Sequence, residues 1–492
     1  MNSIEVKVNE LKERILNAKD EIVISGKTYY VSNDGNDSND GLTPDTAWKT
    51  LEKVSEAELF SGDGVLFKRG DIFRGAVMTK EGVTYAAYGV GEKPRLYGSE
   101  MDLADSSLWE VYDSEHNIWH LTVKSYDVGT LVFNGGEYHS VKLIPSYING
   151  KFVCRNDESK LFDMRNEMVR DLDVYWHFED ELTDKESKGE TFLIPDVKSM
   201  GKGDVYLRCD RGNPGEVFNS IENVAGRNMF KVGMNKNVRI DNLCLKYIGR
   251  HAVSAGGKCV EGLLVTNCEI GWIGGAIQHY FGTDPNYPQG GRGTVTRFGN
   301  GVEIYGGCDD YEVSNCYIYE VYDAAVTHQV TTNGKLYEMK NVRYKDNLIE
   351  KCVYGIEYFL DMTKGDTESY MDGIEMCGNI IRLSGYGWGQ QRHNTDTPAL
   401  IKGWSYVNKA RNYTIHDNIF DRSAYRMLHL VALDKDSLPV MYNNTYVQTK
   451  GLMIGQYGEN KQVEPEILNF DDNAEKTISE VFGDKNATVI TL

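Results

Sequence analysis

Two stretches of the chain, Gly301-Val302-Glu303-Ile304 and Gly355-Ile356-Glu357-Tyr358, place an acid in the same local pattern. In each, a small residue and an aliphatic one precede the carboxylate and an apolar residue follows it. Two carboxylates can share general acid and base work when burial or neighbours hold one of them protonated. The other stays ionised, to activate water or to attack. Asp323 and Asp361 border the same pattern and are further candidates, although Asp323 also suits the capping of the turn before its strand. Thr327, His328, Gln329, Gln390, Arg392 and His429 fall in or beside corresponding stretches, where they could touch a substrate. Arg392 suits clamping a hydroxyl or carboxylate, and it equally suits bracing its own loop.

Such residues meet only if distant segments are brought into register, and an internal repeat supplies the means. An Asn recurs ahead of a short apolar strand at positions 242, 267, 315, 347, 379, 418 and 444, with spacings of 25, 48, 32, 32, 39 and 26. The shortest spacing is the bare repeat, and the longer ones are that repeat plus an insertion. After each Asn comes a second strand opening on a small residue, as in Ala252-Val253-Ser254, Gly275-Ala276-Ile277-Gln278, Ala325-Val326-Thr327 and Met427-Leu428-His429. A period of roughly 20–50 residues built from short strands signals stacked coils. One amide recurring at one turn can hydrogen-bond its copies above and below, satisfying polar groups inside the turn. The fold class predicted is all-β, a parallel β-helix. A propeller blade would need four antiparallel strands in about 40–45 residues.

Alignment on the Asn puts the third residue of each second strand in one column: Ser254, Gln278 or Glu303, Thr327, Glu357, a residue near Gln390, and His429. Coils stack about 4.7–4.9 Å apart and side chains alternate along a strand, so this column is an outward ridge. Val253, Ile277, Val302, Val326, Ile356 and Leu428 then point to the core, and His328 alternates inward. On this reading the ridge carries no Lys and no Arg, with Arg392 and Lys402 beside it in a loop. Insertions at 281–299, 330–340, 361–373 and 390–404 leave one edge of the stack and can wall a groove. They bring Tyr287, Tyr370 and Trp404, with Trp388 just ahead of the last, as aromatic faces or as packing.

The rest of the chain frames this core. Ile4, Val8, Leu11 and Ile15 predict an amphipathic N-terminal helix over 3–18. Residues 33–44 are an Asn/Asp/Gly turn whose spacing fails an EF-hand loop. The expected organisation is a cap and first coils over 1–99, a β-rich insert over 100–232, the β-helix with its groove loops over 233–458, and a C-terminal cap over 459–492. Lys plus Arg number 53 and Asp plus Glu 73, a formal net charge of −20, which argues against nucleic acid as a partner. There is no apolar run of membrane-spanning length. The charged N-terminus lacks a signal-peptide core, so a cytoplasmic location is expected. Nine cysteines without a CxxC pair read as reduced core thiols, with no metal site.

Several segments together resemble the right-handed parallel β-helix proteins of the pectin-lyase-like superfamily, within its bacterial carbohydrate-active group. They are residues 30–44 with Trp48-Lys49-Thr50-Leu51, residues 64–74, Gly299-Asn300-Gly301-Val302-Glu303, residues 322–329 and residues 385–392. The resemblance implies a right-handed β-helix, with the N-terminal helix as a cap and the insert as a subdomain, acting on a carbohydrate. It does not imply one reaction. A glycoside hydrolase would use the carboxylates. Glu303 and Glu357, two coils apart, stand roughly 9–10 Å apart at the backbone, compatible with the inverting range of about 6.5–9.5 Å. Asp323 or Asp361 could supply the retaining distance of about 5–5.5 Å. Thr327, His328, Gln329, Gln390, Arg392, Trp388, Trp404 and His429 would contact the sugar. No cofactor is expected for hydrolysis. A polysaccharide lyase would take its base from His328, His429 or Lys402, with Ca²⁺ or a cationic side chain on the substrate carboxylate. A non-catalytic carbohydrate-binding solenoid is the third reading.

Overall fold

The computed structural model describes residues 2–148, 151–178, 193–194, 201–281, 295–363, 368–392, 398–404, 408–460 and 465–492. Tyr287 and most of the 281–299 loop lie outside them.

Ten strands position the site. They are β1 (Val253–Glu261), β2 (Val302–Ser314), β3 (Ala324–Thr331), β4 (Glu338–Lys345), β5 (Tyr354–Asp361), β6 (Tyr370–Cys377), β7 (Ala399–Gly403), β8 (Ala410–His416), β9 (Arg426–Ala432) and β10 (Met453–Glu459). On one face β1, β2, β3, β5, β7, β9 and β10 pair in succession, all parallel. The second half of β2 turns onto the next face, where β4, β6 and β8 continue it. A third parallel face carries Cys244–Ile248, Glu269–Ile273, Tyr317–Val321, Leu348–Glu350, Ile380–Ser384, Ile419–Ser423 and Thr445–Gln448. This is the parallel β-helix that the repeat predicts. Val253, Val302, Val326, Ile356, Ile401 and Leu428 stack through its interior in one buried cluster. Each such side chain contributes about 1.5–3 kcal/mol relative to exposure.

The Asn repeat resolves into two neighbouring positions. A ladder of amides begins at Asn347. Asn347 Nδ2 donates to Asn379 Oδ1 at 3.0 Å, Asn379 Nδ2 to Asn418 Oδ1 at 2.9 Å, and Asn418 Nδ2 to Asn444 Oδ1 at 3.0 Å. Each Nδ2 also donates to a backbone carbonyl, those of Val313, Tyr344 and Met376. Asp484 ends the ladder, accepting from Asn444 Nδ2 at 2.8 Å. In the earlier coils Cys268 and Cys316 fill the ladder slot. Asn242, Asn267 and Asn315 sit one residue before it, at φ of 59°, 53° and 49°. Asp346, Gly378, Asp417 and Asn443 hold that same left-handed position in the later coils. Asn suits both slots, as ladder amide and as a residue tolerant of positive φ, so the spacing alone merges them.

Helix α1 (Asn2–Leu16) lies along the third face. Its stripe of Ile4, Val8, Leu11 and Ile15 packs on Tyr317, Leu348, Ile380, Ile419 and Val447, one outward residue from each of five coils. Glu5 joins Arg382 at its rim.

The insert has its own core around Trp109, Leu121, Leu131, Phe133, Trp176 and Leu207. Ile221–Ala225 and Phe230–Gly233 already pair with coil strands, so the solenoid resumes before residue 232. Asp37 and Asp40 of the 33–44 turn accept hydrogen bonds from Lys49, Thr50, Leu42 and Thr46. All nine cysteines are free thiols. Among the described residues, no helix is long and apolar enough to cross a membrane.

Candidate active site

Strand register puts one outward side chain from each coil in line: Ser254, Glu303, Thr327, Glu357, Lys402, His429 and Gln456. The expected ridge therefore exists, with two differences. Glu303 and not Gln278 occupies its rung, because Ala276–Phe281 and Val295–Phe298 form an antiparallel excursion ahead of β2. The rung expected near Gln390 belongs to Lys402, so the ridge does carry a cation. Trp388 to Gln391 form a short 3-10 helix off the sheet, leaving Gln390 exposed. The ridge is covered rather than bathed: Thr327 is 0% exposed, Lys402 3%, Glu357 5% and Glu303 8%.

Glu357 stands at its centre. Trp404 donates its indole N–H to Glu357 Oε1, and the same ring lies 4.1 Å from the Lys402 ammonium. Burial, and after it the charge of Asp323, push the Glu357 carboxyl up to about 8, against the pull of Trp404, Arg392 and Lys402. Asp323 is paired with the Arg392 guanidinium. That arginine is delivered by the 3-10 helix, which Glu320 anchors. Trp388 N donates to Glu320 Oε2 at 2.9 Å, and Trp388 Nε1 donates to the Glu320 carbonyl at 2.8 Å. Trp388 itself is buried against Tyr322, ring centroids 5.2 Å apart. Trp388 thus holds the loop that carries Arg392, and among the described residues its ring faces protein.

Glu303 lies two rungs from Glu357, which sets a backbone separation of roughly 9–10 Å. It accepts from Asn300 Nδ2 at 2.8 Å, and His251 Nδ1 lies 2.7 Å from its Oε2. The same Nδ1 accepts from Asn300 N at 3.0 Å. Asn300 Oδ1 also accepts from Ala324 N at 2.9 Å, tying the Glu303 coil to the next. Sequence reasoning missed His251 and Asn300. Both flank strands that it aligned, at the residue before Ala252-Val253-Ser254 and the residue before Gly301-Val302-Glu303. Thr327 sits on the rung between the two glutamates, and its buried hydroxyl has no hydrogen-bond partner among the described residues.

The remaining candidates spread outward. His328 points inward as its alternation predicts, stacked on Tyr358 and bonded to Tyr344 Oη at 2.9 Å. Burial pushes its pKa down to about 3, so it is neutral. His429, next to Lys402 on the ridge, is held well below the ordinary histidine range by burial and by Lys402 and Arg426. Gln329 belongs to the adjacent outward column between Tyr305 and Phe359. Asp361 lies four residues beyond Glu357 on β5, about 13 Å along the strand. Its carboxylate accepts from the backbone and hydroxyl of Thr363. Tyr370 is on the second face, bonded to Glu338.

No family model matches the chain, and no curated protein matches it. Among solved structures it is similar to the GH136 lacto-N-biosidase from Eubacterium ramulus, at 13% identity over 95% of this chain and 68% of that chain, with a TM-score of 0.38. It is also similar to XylC solved with xylose, at 12% identity over 88% and 70% with a TM-score of 0.37. A third is the polygalacturonase from Erwinia carotovora ssp. carotovora, at 11% identity over 87% and 95% with a TM-score of 0.31.

Proposed function

We propose that the protein is a glycoside hydrolase whose ridge cleaves oligosaccharides. Glu357 is the general acid. Near neutral pH it keeps a proton to give to the leaving oxygen, as a carboxyl raised toward 8 can. Asp323, paired with Arg392, supplies the negative charge that helps to keep that proton in place and that favours an oxocarbenium-like transition state. Glu303 is the base, held in place by Asn300 and by His251 beside it. Two rungs between acid and base suit an inverting displacement, with the Thr327 hydroxyl between them to hold water or a sugar hydroxyl. The observation that carries this reading is Glu357, buried at the centre of the ridge under the Trp404 indole N–H, with burial and the charge of Asp323 holding its proton. Proton NMR of the first product formed from a panel of aryl glycosides and oligosaccharides tests it. Inverted anomeric configuration is expected. Retention would transfer the base role from Glu303 to a nucleophile.

Lys402 favours a second reading. A cation on the ridge is what a polysaccharide lyase needs to neutralise a uronate carboxylate. A product absorbing in the near ultraviolet, without water added across the bond, would select it over hydrolysis.

A further inference from the structure

The second face of the solenoid carries a cluster unrelated to the ridge. Glu375 and Cys377 are two residues apart on β6, so they share its outward side, while Ile374 and Met376 enter the core. Cys377 pairs in register with His416 of β8. One ligand atom from each of the three, a carboxylate oxygen, the sulfur and an imidazole nitrogen, lies within 4.8 Å of the others, and all three residues are half-buried. His416 Nε2 stands 3.4 Å from Glu375 Oε1. Donors placed 2.0–2.1 Å from a tetrahedral zinc ion stand about 3.3 Å from one another.

The surroundings fix these donors in a metal-ready arrangement. His416 Nδ1 lies 2.7 Å from Asp417 Oδ2. A proton there turns the Nε2 lone pair toward Glu375 and Cys377, the carboxylate–histidine device that orients metal-bound imidazoles. The His416 ring is stacked on Tyr442, centroids 4.5 Å apart at 7°, which sets its plane. Lys345 takes the other oxygen of Glu375 at 2.8 Å, leaving Oε1 for the cluster.

We propose that Glu375, Cys377 and His416 form a zinc site that staples the coils of β6 and β8, with solvent as fourth ligand. The thiol proton passes to solvent as the Sγ–Zn bond forms. A soft thiolate with imidazole and carboxylate selects Zn²⁺ over Ca²⁺ or Mg²⁺, which take oxygen ligands.

Full-length protein stripped with a chelator and titrated with Co²⁺ tests the site. One equivalent should produce a near-ultraviolet thiolate-to-cobalt band together with visible bands of a tetrahedral ion, and Zn²⁺ should displace both. Cys377→Ser should abolish the charge-transfer band. Asp417→Asn, which leaves all three ligands in place, should weaken Zn²⁺ binding about tenfold by calorimetry. Saturating Zn²⁺ should raise the melting temperature of the wild type and not that of Cys377→Ser. Circular dichroism of each variant separates lost binding from lost fold, and Glu375→Gln is the substitute where Cys377→Ser does not fold. Absence of the band in the wild type, or its persistence in Cys377→Ser, would overturn the assignment.

Discussion

The Asn ladder and the ridge from Ser254 to Gln456 are both columns of polar side chains, one rung per coil, set by the same parallel register. The ladder is made of one neutral group. Every amide from Asn347 to Asn418 donates both to the next amide and to a carbonyl, and the column closes on Asp484. The ridge is made of unlike groups: two carboxylates, an ammonium, a neutral histidine and a threonine whose hydroxyl lacks a partner among the described residues. A scaffold that can pair every amide from Asn347 to Asn418 along one buried column carries, in another, a buried Thr327 hydroxyl with no partner among the described residues. Polar groups left in that condition cost stability, and sites that do chemistry commonly accept this cost.

The sharpest way to break the contrast is to neutralise one rung of each column. Glu357→Gln and Glu303→Gln should each lower turnover by at least about a hundredfold, the scale of a lost general acid or base, with circular dichroism unchanged. Wild-type rates in both would remove the chemistry from the ridge. Asn379→Ala should do the opposite. It strands donors and acceptors in two neighbouring coils and should cost about 3 kcal/mol of stability, read as a lower melting temperature, while turnover per folded molecule stays near wild type.

Protonation sharpens the comparison further, since the amides of the ladder cannot titrate and Glu357 of the ridge can. As the proposed general acid, Glu357 must hold its proton to act, so turnover should fall as pH rises through about 8. Folding has the same sign. The native state keeps a proton that the unfolded chain releases near the ordinary carboxylate range, so stability declines as pH rises between that range and about 8 and is flat above it. Melting curves of Glu357→Gln should therefore match the wild type near pH 4 and exceed it by a few degrees at pH 9. The smallest effect is expected of Lys402→Met. The ammonium pulls the Glu357 carboxyl down, so its loss should move the alkaline limb of turnover a fraction of a unit higher. A shift the other way would mean that Lys402 does not sense Glu357.

Periodicity made much of this legible. Small-aliphatic-acid strands recurring after an Asn are enough to align Glu303, Thr327, Glu357 and His429, because a side-chain period of two and a one-rung coil offset leave little freedom. Where insertions interrupt the repeat, counting fails. The 390–404 segment hid Lys402 in a loop, since nothing in Trp388-Gly389-Gln390-Gln391 signals that these residues leave the sheet. The Asn column mixed ladder and turn positions for the reason that one residue type serves both. The partners of Glu303 escaped because His251 and Asn300 come from the edges of strands, where alternation no longer says which way a side chain faces. The Glu375, Cys377 and His416 cluster escaped because its members are 39 residues apart in different repeats, as Cys377 and His416 show, and only cross-coil pairing unites them.

The seating of α1 bears on how the chain reaches its native state. The helix precedes in the chain every residue of its berth, Tyr317, Leu348, Ile380, Ile419 and Val447. On a ribosome it must wait until five later coils have been laid down, so a segment translated before them docks after them. Until then a greasy seam runs down the flank of the growing stack, and Glu5 finds Arg382 only when that seam is closed. The molecule is in this sense buttoned by an early segment only after its later coils are in place.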